Sequence, residues 1–426
     1  MSDDFFVSYG SSKSHTISSS LRMILFGTNM LKRGFSTAND LVVKARLAAG
    51  TNASASTVWS ILHRKELSPS LPFEVHKALY EEVYDETDDS LKPAWIPSTD
   101  IVEKTNIFKT MKQKGFSTYD QFYKWSIDPK SRDDFWLSST ENIKIDWKKK
   151  PSAAFDLAHR GSAHTHATYF PEGRLNIIDS CFNKTDPFEP AIIYSSEIDG
   201  RNLRQLSYKT LNSLSNKIAN GITQKFGVQV GDAIGICMPM TPEAVAIYIG
   251  IVKAGCVVVS IADSFSSEEI AARCKLAGAK TIFTQDVIYR DRGKKFLPLL
   301  DRVLGADQIV LRSQEEKTTE CSSMRIVILP GNLHANCYPD VPVDKDGSTW
   351  TDKDSDGEEV PFHESILTSM RNNHDVSWYE LLRHSSDEFR SVQVSAMDPC
   401  NILFSSGTTS EPKAIVWSHS TPIKVR

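Results

Sequence analysis

Hydrophobic residues in the first part of the chain recur at helical spacing. Val75, Leu79 and Val83 follow one another at intervals of four, and further apolar and aromatic residues continue this pattern to about residue 150. Residues three or four apart share one face of a helix, so the pattern is typical of amphipathic helices that pack on a core. The sequence therefore predicts a mostly helical N-terminal lobe.

Beyond residue 176 the pattern changes to short apolar runs that alternate with helical segments. Leu211, Leu214, Ile218 and Ile222 line one face of a predicted helix, and residues 233–238 form an apolar run of strand length. Similar runs follow at residues 256–261, 281–284 and 402–404. Uninterrupted apolar runs are typical of parallel strands buried on both faces. Their alternation with helices predicts an α/β fold with a mostly parallel sheet and right-handed crossovers.

Local signals mark the starts of two helices between these strands. Thr241, Pro242 and Glu243 supply an N-cap, a first-turn proline and a first-turn acid. Ser266 and Glu269 have the spacing of a capping box. We therefore expect helices to begin at these two points.

Composition divides the chain of 426 residues into five expected parts. They are a leader at 1–56, disordered or targeting; a helical lobe at 57–175; an α/β subdomain at 176–338; an acidic, exposed insertion at 339–372; and a continuation at 373–426 that ends just after a polar loop. The leader has no Asp or Glu between Phe5 and Asn39. A transit peptide and a disordered segment both fit that composition.

Charge and apolar runs limit the classes of partner. The formal net charge of −4 gives no electrostatic reason to expect nucleic acid. The run Ala244–Ala262 is long enough to resemble a membrane span, but Lys253 lies in its middle and Gly255 interrupts it. A helix, a turn and a buried strand explain this run, so we expect no membrane span. The seven scattered cysteines predict free thiols in a reducing, intracellular compartment.

The candidate chemistry follows the last apolar run. The segment Ser405-Ser406-Gly407-Thr408-Thr409 presents hydroxyl and backbone N–H groups around one glycine, and Lys413 adds a positive charge just beyond it. Such a group of donors suits a polyphosphate. A polar turn after a strand is the alternative reading of the same residues. The residues alone leave both readings open.

A resemblance favours the first reading. The stretch from Phe404 to Lys413 resembles the phosphate-binding signature of the acyl-activating, adenylate-forming superfamily. Residues 231–244 and 253–255 resemble a segment that acetyl-CoA synthetases carry upstream of that loop. Residues 258–265 and 283–286 are similar to plant peroxisomal acyl-activating enzymes of the same branch. The likeness runs with gaps from about Trp59 to Arg426.

This resemblance implies an ATP-dependent carboxylate–CoA ligase. Such an enzyme converts an acid and ATP to an acyl-adenylate, and coenzyme A then displaces AMP. Ser405, Ser406, Gly407, Thr408, Thr409 and Lys413 are then expected to bind the ATP phosphates, with Mg²⁺ arriving on ATP and a carboxylic acid as substrate. The resemblance also implies a location in peroxisomes or cytoplasm. It leaves the acid and the oligomeric state open.

The sequence departs from the family pattern at two places near the loop and at its end. Ser410 stands where the family has glycine, and Ala414 stands where the superfamily usually has glycine. The family continues well beyond Lys413, where its ribose-binding acid and catalytic lysine lie. We therefore expect an incomplete enzyme without catalytic residues of its own. A non-catalytic binding or regulatory module is the alternative.

Two motifs resemble metal sites. Asp352, Asp354, Asp356 and Gly357 match the first half of a calcium-binding loop, but position twelve is His363 and no amphipathic helix flanks it. A group of three histidines, His159, His164 and His166, lies in a Gly/Ser/Thr-rich stretch without helical spacing. We expect a solvated loop and no metal at either place.

Overall fold

The computed structural model describes residues 38–84, 92–156, 167–183, 185–196, 198, 203–290, 293–315, 323–333, 362–363, 374–405 and 412–425. The chain forms two compact units, Met1–Phe122 and Tyr123–Arg426.

The described part of the first unit is helical. Its helices are α1 (Ala38–Ala49), α2 (Ala55–Ile61), α3 (Phe73–Tyr84), α4 (Thr99–Lys104) and α5 (Asn106–Gln113), and α6 (Tyr119–Ile127) crosses the boundary between the units. Leu62 and Leu79 are fully buried in its core, and Trp59 meets Tyr80 edge to face with ring centroids 5.2 Å apart. The helical character predicted from hydrophobic spacing is confirmed.

Helix α1 lies within the residues predicted as a leader. Val42 and Ala45 on its inner face are buried in the core of the first unit. Their spacing of three residues fits a helix. The acid-poor composition of the residues before this helix favoured the interpretation as a leader. Within the predicted leader, residues 38–56 are described and residues 1–37 lie outside the described residues. The division of the chain into five parts stays a prediction.

The second unit is built on a seven-stranded sheet with the order β12-β11-β8-β6-β7-β14-β15. Its strands are β6 (Ala233–Cys237), β7 (Val257–Ile261), β8 (Thr281–Gln285), β11 (Arg325–Leu329), β12 (Val376–Ser377), β14 (Pro399–Ser405) and β15 (Lys413–Ser418). Neighbouring strands pair in parallel except for β14 and β15, which are antiparallel. The mostly parallel sheet predicted from the apolar runs is confirmed.

Shorter strands pair in antiparallel ribbons outside this sheet. They are β1 (Phe155–Asp156) with β2 (Thr168–Tyr169), β3 (Arg174–Leu175) with β13 (Val394–Ser395), β4 (Pro190–Tyr194) with β5 (Arg204–Ser207), and β9 (Val287–Arg290) with β10 (Lys295–Pro298).

Helices cover the sheet and connect its strands. They are α7 (Arg132–Asn142), α8 (Asp179–Phe182), α9 (Tyr208–Phe226), α10 (Pro242–Lys253), α11 (Ser267–Ala277), α12 (Leu299–Glu315), α13 (Trp378–Leu382) and α14 (Thr421–Val425). Since β7 and β8 lie on opposite sides of β6, right-handed crossovers place α10 and α11 on opposite faces. Accordingly α10 packs with α9, and α11 packs with α12.

The predicted helix starts are confirmed. The Thr241 side chain accepts the backbone N–H of Ala244, and Ser266 and Glu269 form both hydrogen bonds of a capping box. The run Ala244–Ala262 divides into α10, a turn at Gly255 and the buried strand β7, as expected. No helix within the described ranges combines the length and apolar character that crossing a bilayer requires.

Two buried side chains join distant segments of the second unit. Asn176 donates from Nδ2 to the carbonyls of Val252 and Val392, at 2.7 and 2.9 Å. His419 accepts the backbone N–H of Ile177 at its Nδ1, at 3.1 Å. Both residues therefore fix the start of the α/β region against its last strands.

Candidate functional site

The loop predicted to bind phosphate connects the last two strands of the main sheet. Strand β14 ends at Ser405 and β15 begins at Lys413, and these two residues are direct partners across the strand pair. Directly opposed residues project to the same side of a sheet, with Cβ atoms about 5 Å apart. The structure thus brings together the first and last of the six predicted site residues. Ser406, Gly407, Thr408 and Thr409 lie outside the described residues, as does Ser410.

The sheet fixes the position of this loop. Asn401 and Ile402 of β14 pair in parallel with Val258 and Val259 of β7, and Ser260 donates its hydroxyl to Oδ1 of Asn401 at 3.0 Å. The loop consequently leaves the carboxyl edge of the sheet, where α/β proteins place their ligand sites. The exposed side chain of Lys413 lies on the edge strand at the same end.

A cavity of about 640 Å³ lies beside Phe404 and Pro412, which flank the loop. Residues of α11 and the segment before it also line the cavity, namely Phe265, Glu268, Glu269 and Arg273. Arg273 could not be singled out from the sequence, because only the fold brings α11 next to β14.

Asp286 organises a second part of the carboxyl edge. Its buried carboxylate accepts the backbone N–H groups of Val287 at 2.6 Å and of Gly331 and His363 at 2.7 Å. Burial raises the pKa of the Asp286 carboxyl, while the hydrogen bonds from these N–H groups oppose that shift. The carboxylate therefore holds together the segments that follow β8 and β11.

Glu243 is a second buried carboxylate at this edge. It lies in the first turn of α10 and is 1% exposed, and neither carboxylate oxygen has a hydrogen-bond partner in the described structure.

A larger polar cavity of about 670 Å³ lies at the opposite, amino edge of the sheet. Lys253 lines it, and its Nζ donates to Asn212 Oδ1 at 2.5 Å, Asn216 Oδ1 at 2.6 Å and Ser215 Oγ at 2.8 Å. Burial lowers the pKa of Lys253 to about 8. Because three acceptors already occupy the three ammonium protons, this lysine has no donor left for a ligand.

The described cysteines do not form a reactive site. None of the five cysteines in the described ranges, Cys181, Cys237, Cys256, Cys274 and Cys400, forms a disulfide there. Burial raises the pKa of the thiols of Cys237, Cys256, Cys274 and Cys400 to about 12, so these thiols are protonated and unreactive at neutral pH.

No cluster of metal-ligating side chains occurs in the residues that the structure describes. The three histidines His159, His164 and His166 fall outside those residues, and so does the calcium-like segment apart from its last two positions, Phe362 and His363. The ring of His363 contacts that of Phe296 at an angle of 45°, with centroids 4.0 Å apart.

Comparison with known proteins agrees with this geometry. The family model described as "AMP-binding enzyme" matches residues 182–424. The chain belongs to this family. The model "Acetyl-coenzyme A synthetase N-terminus" matches residues 119–181. The family resemblance predicted from the sequence motifs is therefore confirmed.

Its relatives include plant enzymes. It is 30% identical over 405 residues to "Hexanoyl-CoA synthase" of Cannabis sativa, covering 89% of this chain and 48% of that protein. It is 31% identical over 386 residues to "Probable acyl-activating enzyme 18, peroxisomal" of Arabidopsis thaliana, covering 86% of this chain and 46% of that protein. The chain thus spans about half the length of the curated relatives it matches.

A solved structure shares the fold. "Acetoacetyl-CoA Synthetase from Streptomyces lividans" superposes with a TM-score of 0.59 at 21% identity, covering 78% of this chain and 44% of that one. The described residues therefore share the α/β fold of that structure.

Proposed function

We propose that this chain carries the ATP-phosphate-binding part of an ATP-dependent carboxylate–CoA ligase. In the proposed reaction, a carboxylate attacks the α-phosphate of ATP and releases pyrophosphate. The thiol of coenzyme A then attacks the acyl-adenylate, so a thioester forms and AMP leaves. The names of two plant relatives, a hexanoyl-CoA synthase and a probable acyl-activating enzyme, support this reaction class.

One observation carries the proposal: the pairing of Ser405 with Lys413 at the carboxyl edge of the sheet. Ser406, Gly407, Thr408 and Thr409 follow Ser405 in the sequence between these two partners, so their hydroxyl and backbone donors belong to the same strand connection as the cation. We assign these donors to the β- and γ-phosphates and Lys413 to their negative charge. Mg²⁺ fits this site as a companion of ATP, since hard cations bind phosphate oxygens with few protein ligands.

The acyl substrate is proposed only as a carboxylic acid. Peroxisomal location is an inference from the names of two Arabidopsis relatives. A reducing, intracellular compartment agrees with the free thiols of the described cysteines.

We expect the purified chain to bind MgATP, and Lys413→Ala to weaken this binding about 10- to 100-fold, the usual value of one charged donor to a phosphate. Isothermal titration calorimetry measures both. Lys280→Ala is the matched control, because Lys280 forms only an exposed ion pair with Asp232 at the amino edge.

Two negative results of this titration would exclude different parts of the proposal. Equal affinity of Lys413→Ala and the unaltered chain would remove Lys413 from the site. No heat of MgATP binding in the unaltered chain would contradict the phosphate-binding proposal itself. The reaction class is tested separately, by acid-dependent ATP–pyrophosphate exchange in a protein extended to the length of its relatives.

A further inference from the structure

Charges of both signs line the polar cavity at the amino edge of the main sheet without pairing with one another. Its volume of about 670 Å³ is within the range of small-molecule sites. The carboxylates are Asp146 and Asp179, and the cations are Lys148, Lys253 and Arg390. No ion pair joins one of these carboxylates to one of these cations, although the structure describes all five residues. Opposite charges are thus held apart around one cavity.

Amides, and not cations, hold the two carboxylates in place. Asp179 accepts a hydrogen bond from Nε2 of Gln393 at 3.0 Å, and Asp146 accepts one from the side-chain amide of Asn183. Each bond uses Oδ2, and no side-chain donor among the described residues reaches Oδ1 of either carboxylate. Because an ionised carboxylate has about four acceptor sites, both groups can accept further hydrogen bonds from a ligand.

The cations also lack counter-ions. Lys253 is 2% exposed, donates only to neutral side chains of α9, and lies 4.7 Å from the ring centroid of Phe182. The exposed side chains of Lys148 and Arg390 form no ion pair with the described residues. A buried charge without a counter-ion is unfavourable for the fold, so negative charge that entered the cavity would be stabilised there.

This pattern of charges indicates which class of ligand fits. A simple anion would be repelled by the two carboxylates, and a simple cation by the three cations. A molecule with both an ammonium group and a carboxylate can form charge-assisted hydrogen bonds with both sets. Half-buried Trp147 and Phe389 line the same cavity and offer apolar surface to a hydrocarbon side chain.

One carboxylate and one cation belong to segments that contact each other. The hydrogen bond from Gln393 to Asp179 fixes the segment that carries Arg390 beside α8. We propose that the amino-edge cavity binds a small zwitterion of the amino-acid type, whose ammonium group contacts Asp179 and whose carboxylate contacts Arg390. The phosphate loop lies at the opposite edge of the sheet, so this site can be tested independently of the proposed function.

The test compares three molecules of matched shape by isothermal titration calorimetry. They are valine, isovalerate, which lacks the ammonium group, and isobutylamine, which lacks the carboxylate. We expect the unaltered chain to bind valine at least about tenfold more tightly than either analogue, because each analogue loses charge-assisted hydrogen bonds.

Two variants locate the binding in this cavity. Arg390→Gln and Asp179→Asn should each weaken valine binding at least about tenfold. In Asp179→Asn the amide oxygen can still accept the hydrogen bond from Gln393, and thermal melts verify that each variant is folded. The control Lys275→Gln removes an exposed cation from α11 and should leave valine binding unchanged.

Three results would contradict the inference. The first is that the unaltered chain gives no heat with valine at millimolar concentration. The second is that either Arg390→Gln or Asp179→Asn binds valine as tightly as the unaltered chain. The third is that isovalerate binds as tightly as valine and is weakened by Arg390→Gln, which would make the cavity a site for simple anions.

Discussion

Replacing Asp286 by alanine is expected to lower the free energy of unfolding of the second unit by about 3–5 kcal/mol. The substitution leaves the backbone N–H groups of Val287, Gly331 and His363 without their shared acceptor. Each buried donor without a partner costs about 1–3 kcal/mol, less where water can enter. Urea unfolding followed by fluorescence measures the change, and Asp387→Ala at an exposed position is the control.

Gly331 provides an independent test of the same cluster. A Cβ at this position would lie 2.1 Å from the carbonyl oxygen of Val287, far inside contact distance. Gly331→Ala must therefore move the backbone away from the Asp286 carboxylate and should also destabilise the second unit. Unchanged urea midpoints for both variants would show that the Asp286 cluster does not stabilise the carboxyl edge.

The second large effect is a loss of stability in acid caused by His419. Burial lowers the pKa of His419 from 6.5 to about 4, although the negative charge of Asp398 opposes this shift. Its Nδ1 must also stay unprotonated to accept the N–H of Ile177. The unfolded chain takes up a proton below pH 6.5 while the folded chain does not, so the stabilising contribution is present above pH 6.5 and is lost as the pH falls to about 4. At about 1.4 kcal/mol per pKa unit, the full loss is about 3 kcal/mol.

The comparison variant is His419→Asn, which keeps an acceptor near Ile177 but has no proton to gain. Urea unfolding at a series of pH values between 7 and about 4 gives the two stability curves, and other titrating groups cancel in their difference. We expect the free energy of unfolding of the unaltered chain to fall by about 3 kcal/mol relative to that of His419→Asn as the pH falls from 7 to about 4. Parallel curves would mean that His419 is protonated equally in the folded and unfolded chains.

The elements of the α/β region were predictable because their signals are local. The caps at Thr241 and Ser266 lie within three residues of the N–H groups that they satisfy. Apolar runs also identified the parallel strands, since burial on both faces leaves no polar positions. The antiparallel pairing of β15 was not predicted. Ile415 and Val416 on this edge strand are exposed, so the strand lacks the pattern of a buried parallel strand. Its pairing with β14 depends on the loop that connects the two strands, and hydrophobic periodicity does not reveal it.

The site was predictable only in part. Ser405 and Lys413 were found from the donor-rich loop and its family resemblance, and their pairing agrees with one site. No sequence pattern indicated a structural or binding role for Asp286, Arg273 or His419. Their contacts join residues up to 242 positions apart, as in the bond between His419 and Ile177. A single sequence carries no signal for such contacts, because they depend on the order of strands in the sheet.

The strand pairing on both sides of the phosphate loop also affects how insertions should act. Because β14 and β15 hold Ser405 opposite Lys413, the loop is already closed when the sheet folds. The entropic cost of closing it is therefore offset by folding and not by the binding of a nucleotide. That entropy grows only logarithmically, by about 0.6 kcal/mol for each doubling of loop length. Added residues should therefore reduce the stability of the hairpin only slightly, whereas a change that shifts the register of the two strands by one position would turn Lys413 to the other face of the sheet. We therefore expect natural variants of this loop to differ in length more readily than in the register of the two strands.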